Sequence, residues 1–299
     1  SPVYMTDSPI FLVDSDCSDS TLLRLMLNAH PQVTWLHEFE QTNQMPVGHM
    51  LTYPELVSSL LDQYKSVAHK SLAHKSLIGV SGAKLHQHFG PLLTRWPEAK
   101  FIRIVRDPRE MTCASVRRGR AGNVWAGLGH WIETEAAWDK LSPQLCAEKI
   151  LEIYYQDLIT DTRPTLEKVC ALIEVPYSPA MMDKVTRTNP SLLHPQRVQT
   201  WQRHLSKREI QLIEARIGPQ MVARGFAYSG FAKRKVSLWQ RSYLRMQDRL
   251  TRVSFRIKRY GLGLFLGDFI TRRLCAHRLN RTYRQKINKI QLSQLKKSW

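Results

Sequence analysis

Near its amino end the chain passes from a short apolar stretch, Ile10-Phe-Leu-Val13, into a polar loop, Asp14-Ser-Asp-Cys-Ser-Asp-Ser-Thr21. It then continues as Thr21-Leu-Leu-Arg-Leu-Met-Leu-Asn-Ala29. The apolar stretch suits a buried parallel strand, and the last segment has the helix formers and apolar face of an amphipathic helix, stopped by His30-Pro31. Strand, loop, helix is the layout of a phosphate-binding turn, because unpaired N–H groups at a helix N-terminus point at any anion the loop wraps. The loop side chains suggest other chemistry. Asp14, Asp16 and Ser18 alternate as at the start of a calcium loop, but the sixth position is Asp19 rather than Gly and the twelfth is Leu25 rather than a carboxylate, which excludes an EF-hand. No Gly-Lys-Ser/Thr follows the strand, so a P-loop kinase fits poorly. Further on, His86 and His88 alternate on one strand-like face; two histidines without a third ligand are weak evidence for metal, and no metal is expected. Arg106 follows the apolar stretch 101–105, where an arginine either meets an anion or pairs with nearby carboxylates.

Other segments must position these residues. Leu77-Ile-Gly-Val80, Phe101-Ile-Arg-Ile-Val105 and Ile150-Leu-Glu-Ile-Tyr154 read as three further buried strands. Helical stretches lie between them, near 52–68, 109–118, 125–141, 163–173 and 206–217. Alternation of this kind predicts an α/β fold, a parallel sheet flanked by helices on both faces. With 299 residues and 43% apolar content, the chain can form one large domain or a domain with an appendage.

Four blocks, in order, resemble the sulfotransferases that use the activated donor PAPS. They are Pro9 to Val33, Phe101-Ile-Arg-Ile-Val-Arg-Asp-Pro-Arg109, Tyr155-Gln-Asp-Leu158 with Thr165 to Pro176, and Arg197-Val-Gln-Thr-Trp201 through Gly225. The resemblance spans roughly residues 9–228 and implies a P-loop NTPase-like sulfotransferase fold. The reaction it implies is in-line transfer of a sulfuryl group from PAPS to a hydroxyl or amine acceptor, without metal. By the same resemblance Glu38 is the general base, Lys84 steadies the transferring group, and Ser18, Ser20 and Thr21 belong to the 5′-phosphosulfate cradle. Arg106 and Arg197 then clamp the 3′-phosphate, with Ser115 beside them.

The donor contacts depart from the family pattern. Where the family has roughly Gly-x-Pro-Arg-Ser-Gly-Thr-Thr, this chain has Asp14 and Asp19 for the glycines, Asp16 for the proline and Cys17 for the arginine. The usual serine eight residues after Arg106 is Ala114, with Ser115 one step later, and a late glycine is Gln199. One unscreened carboxylate about 6 Å from a phosphate costs on the order of 3 kcal/mol at an effective dielectric near 20. That is roughly two orders of magnitude in affinity. Asp19 has an alternative role as a cap on the following helix. The sequence therefore predicts an impaired donor site on this fold.

Charge divides the chain sharply. Residues 231–299 hold 19 Lys and Arg against Asp248 and Asp268, most of the total net charge of +19. The expected organisation is a sulfotransferase-like domain over 1–230 and a basic helical tail over 231–299. In the tail, Trp239, Tyr243, Met246, Leu250, Val253, Ile257 and Tyr260 form one helical stripe. Arg241, Arg245, Arg249, Arg252, Arg256 and Arg259 recur about 200° round. Such a helix packs on its own domain, lies on an anionic membrane, or binds another polyanion such as nucleic acid. The five cysteines are widely spaced with no Cys-x-x-Cys, which argues for a reducing compartment and a cytoplasmic protein, held peripherally at a membrane if the tail docks there. The chain opens with Ser-Pro, so a removed leader stays open, as do the acceptor and the oligomeric state.

Overall fold

The computed structural model describes residues 8–14, 20–37, 52–68, 77–81, 85–195, 198–264, 266 and 270. Within these, five strands form one sheet: β1 Ile10–Val13, β2 Val33–His37, β3 Leu77–Ser81, β4 Lys100–Val105 and β5 Ile150–Tyr154. The order is β2-β3-β1-β4-β5, and every neighbouring pair is parallel. The α/β expectation holds. β2 is the addition; its alternation is broken by Leu36, and Pro31 just before it signals only the end of a helix.

The strands are apolar on both faces because helices cover both. On one face Ile10, Leu12, Ile102 and Ile104 pack with α1 (Ser20–Ala29) through Leu22, Leu23, Met26 and Leu27. On the other face Phe11, Val13, Val80 and Phe101 pack with α2 (Tyr53–Ala68) and α3 (Phe89–Arg95). The register of β3 depends on a missing side chain: a Cβ on Gly79 would lie 2.2 Å from the ring of Trp35. The indole Nε1 of Trp35 in turn donates to Ser81 Oγ at 3.1 Å.

The helix α4 (Pro108–Arg117) follows β4. The stretch expected as one helix over 125–141 is two, α5 (Val124–Gly127), capped by Asn123 on Ala126, and α6 (Gly129–Leu141). After β5 come α7 (Tyr155–Thr160), α8 (Thr162–Leu172), α9 (Ala180–Thr188), α10 (Trp201–His204) and α11 (Lys207–Ala223). The tail contributes α12 (Leu238–Tyr260), opened by a reciprocal Ser237–Gln240 capping box and closed at Gly261, whose φ is +81°.

Inside the sheet β4 carries a charge. Arg103 is 1% exposed and stacks over the ring of Trp138. Its guanidinium pairs with Glu135 of α6 and, at 3.4 Å, with Glu152, its register partner on β5. Arg224 closes the network by pairing with Glu135 and Asp139.

Compactness divides the chain into two units. The first comprises residues 1–111, 129–204 and 219–227 and holds the sheet; the second comprises 112–128, 205–218 and 228–299. The charge step at residue 231 thus falls within the second unit. Among the described residues no helix is long and apolar enough to cross a membrane.

Candidate functional site

An all-parallel sheet gathers its strand-to-helix turns on one edge, and ligands bind where the strand order reverses. Here the chain builds β1, β2 and β3 to one side, then β4 and β5 to the other, so the reversal lies between β1 and β4. Val13, the last residue of β1, is level with Arg103, and β4 continues two residues further to Val105. The next residue is Arg106. Across from it the loop leaving β1 leads into α1, whose first turn contains no acidic residue. A basic side chain and a helix N-terminus therefore meet the carboxyl edge at the point expected for an anion.

The surroundings of Arg106 are nearly dry. Its guanidinium carbon lies 4.2 Å from the ring centre of Tyr155, the buried first residue of α7. One of its nitrogens lies 3.6 Å from Glu110 Oε2, one helical turn on. Glu110 is 4% exposed and also accepts from the hydroxyl of Thr200 at 2.5 Å and the backbone N–H of Trp201 at 2.9 Å. The Arg109 guanidinium carbon lies over Trp201, 3.9 Å from its ring centre, and the guanidinium is held by Asp107 at 2.8 Å. Glu110 thus ties the 200–201 turn to the end of β4. The buried indole Nε1 of Trp201 has no hydrogen-bond partner.

Not all the sequence candidates can be placed. Glu38, Lys84, Ser18 and Arg197 lie outside the described residues, as do loop residues 15–19. Ser20 opens α1, with its side chain outside the description. Thr21, in the first turn, is buried, with its hydroxyl 3.5 Å from an Arg24 nitrogen. Ser115 is half-buried on the part of α4 that belongs to the second unit, and its carbonyl accepts from the N–H of Arg120 at 3.0 Å. Only Thr21 and Arg106 are therefore shown at the carboxyl edge. Sequence reading missed Glu110 and Tyr155. The Arg106-x-x-x-Glu110 spacing on a helix was legible, but Tyr155 was read only as the start of a family-like block after the 150–154 strand.

A family model described as "Sulfotransferase family" matches residues 9–179. This chain belongs to the sulfotransferase family. None of the curated proteins matches it at a significant level. Its fold is similar to the sulfotransferase domain of the Synechococcus PCC 7002 olefin synthase, with a TM-score of 0.52 at 19% identity over 71% of this chain and 94% of that one. The sulfotransferase domain from the curacin biosynthetic pathway gives 0.50 at 17%, over 71% and 98%. The mouse sulfotransferase SULT7A1, solved in complex with PAP, gives 0.50 at 13%, over 74% and 89%. At these identities the likeness is one of fold.

Sulfotransferases generally use PAPS as donor, and of the residues expected to hold it the described edge shows Thr21 and Arg106. Trp201 Nε1 is a donor without an acceptor, which suits an anion, while Arg106 faces the buried carboxylate of Glu110 and Arg109 that of Asp107. A phosphate on Arg106 has to compete with Glu110, whose two other hydrogen bonds hold it in place.

Glu110 is structural on this account. Glu110→Ala leaves the Trp201 N–H and the Thr200 hydroxyl unpaired and Arg106 without its carboxylate, so urea unfolding should show a loss of about 3 kcal/mol. A loss under about 1 kcal/mol, the value of an exposed pair, contradicts that role.

Proposed function

We propose that this sulfotransferase-family protein has impaired use of PAPS and works bound to an anionic membrane surface. The observation that carries the first part is the pairing of Arg106 with Glu110 at the switch point. It adds to a loop in which aspartates and a cysteine replace glycines and an arginine. Backbone N–H groups alone hold a phosphosulfate weakly when carboxylates replace the balancing cation. Where transfer persists, Glu38 serves as base toward a hydroxyl or amine acceptor, Lys84 as stabiliser, and Arg106 and Arg197 as the clamp.

The second part rests on α12. Leu244 and Asp248 are its buried positions; Asp248 Oδ1 accepts from the N–H of Gly122 at 2.7 Å, and the carbonyl of Leu244 accepts from Asn123 Nδ2 at 2.7 Å. Gly122 and Gly119 leave room for the helix, since a Cβ would lie 2.5 Å from the Asp248 carbonyl oxygen in one case and 2.2 Å from the Phe255 ring in the other. Leu244, Asp248, Thr251 and Phe255 therefore make the packing face. The Trp239-to-Val253 stripe lies roughly opposite, by about 150° at 100° per residue. Trp239 is 88% exposed and Leu250 63%, with Tyr243, Met246 and Val253 also exposed. Packing of the helix within its own unit thus does not use the stripe.

Arginines gather round Trp125. Arg216 lies over the Trp125 ring at 5.0 Å and Arg241 over the same ring at 6.0 Å. Burial, then the charges of Arg245 and Arg241, hold the Arg216 guanidinium below its ordinary pKa. Anionic head groups relieve that crowding while the aromatic stripe enters the interface. A plain polyanion has no use for the stripe.

Two experiments test these parts separately. A variant with Asp14→Gly, Cys17→Arg and Asp19→Gly should gain a thermal shift with PAP that the unaltered chain lacks, since saturation to 100 times Kd stabilises by about 2.7 kcal/mol. If the unaltered chain shifts equally, the site is intact and Glu38→Gln should then lower turnover by roughly 100-fold. For α12, the full chain should sediment with phosphatidylserine-containing vesicles and not with phosphatidylcholine alone. Met246→Ser with Leu250→Ser should weaken this as much as Arg245→Gln with Arg249→Gln. Loss from the arginine change alone, with equal binding to DNA, identifies a polyanion-binding tail instead.

A further inference from the structure

Away from β1 and β4, the structure brings together three side chains that the sequence keeps apart. His86 belongs to a 3-10 turn, Leu85–His88, while His130 and Glu133 are one helical turn apart on α6. One ligand atom from each lies within 4.8 Å of the other two. The His86 ring meets that of His130 edge-on at 4.9 Å, and its Nε2 is 3.8 Å from Glu133 Oε2, too far for a hydrogen bond.

The burial of these groups is unequal. His86 is 7% exposed, yet its Nε2 has no hydrogen-bond partner. An imidazole nitrogen in that position ordinarily costs the desolvation of an unpaired polar group, and such groups call for an explanation. Glu133 is 64% exposed, so the cluster opens to solvent on the carboxylate side. Burial, and next the charge of His130, hold the His86 pKa below its ordinary value. His88 is turned aside, stacked on Tyr53 with ring centres 4.4 Å apart.

We infer that His86, His130 and Glu133 form a binding site for a zinc-class divalent ion, with two imidazole nitrogens, one carboxylate oxygen and an open fourth position facing solvent. Two histidines and a glutamate suit Zn2+, whose Zn–N and Zn–O bonds of about 2.0–2.2 Å put ligand atoms slightly over 3 Å apart. Closing from within 4.8 Å to that spacing draws the three ligand atoms together by at most about 1.5 Å. The ion gives His86 Nε2 its missing partner, and its charge offsets the desolvation of the site. α6, remote in sequence, brings His130 and Glu133 beside His86, which the spacing of His86 and His88 alone does not show. Neither Arg106 nor loop 14–19 takes part in this cluster.

Calorimetric titration of the full chain with Zn2+, and with Co2+ followed by visible absorption, tests the assignment. One equivalent should bind, and Co2+ should give the intense d–d bands of a tetrahedral site. His130→Ala and Glu133→Gln, both at positions outside the tight core, should each weaken binding at least about tenfold, the lower limit seen even for residues behind the ligands. His204→Ala, an exposed histidine elsewhere, should leave the affinity unchanged. Equal affinity in wild type and His130→Ala, or no Zn2+ binding up to about 1 mM, overturns the proposal. An unchanged melting temperature in the absence of metal shows that the His130→Ala loss is one of ligand and not of fold.

Discussion

The parallel direction of all five strands determines where chemistry can occur in this protein. Parallel strands need crossover helices, and those helices bury both faces of the sheet, as the alternating residues of β1 show: Ile10 and Leu12 face α1, while Phe11 and Val13 face α2 and α3. With both faces covered, a polar ligand has only the edge. Because the order reverses between β1 and β4, the crevice opens beside the loop after Val13 and beside Arg106. The polar groups there, from the N-terminus of α1 to the Glu110–Trp201 contact, occupy an edge that topology leaves free.

The same strand carries the most deeply buried charge in the sheet. Arg103 lies three residues before Arg106, between Glu135 and Glu152 and over Trp138, whose indole N–H donates to Glu152 at 2.8 Å. A guanidinium so far from water needs full pairing, so α6, β5 and Arg224 must all be in register before β4 is tolerable there. That requirement positions β4 and the start of α4. It also sets α6, whose Glu135 meets Arg103 while His130 and Glu133, on the preceding turns, reach His86.

Much of the fold was legible because its signals were local. Apolar strands of four to six residues, a helix stopped by His30-Pro31 and the four family-like blocks are patterns within short windows. β2 was missed because Val33-Thr-Trp-Leu-His37 gains its strand identity from pairing with β3 and from the space at Gly79, which no window shows. In the tail, the apolar stripe and the arginines were visible, but the face that packs was not. It consists of Leu244, Asp248 and Phe255, and what selects it is the absence of side chains at Gly119 and Gly122, more than 100 residues earlier. At the site, Arg106 was legible as a strand-end arginine. Its carboxylate and its aromatic wall were not, since Tyr155 arrives from beyond β5.

We propose a retained sulfotransferase fold whose donor affinity is reduced by misplaced negative charge. Isothermal calorimetry of PAP with the full chain, at low and at raised salt, tests this most directly. The account predicts no saturable heat up to about 100 μM PAP, and weak binding that strengthens as salt screens the loop aspartates from the phosphates. A single site of micromolar or tighter Kd that weakens with salt contradicts it, because an attraction of that kind requires a net positive donor pocket.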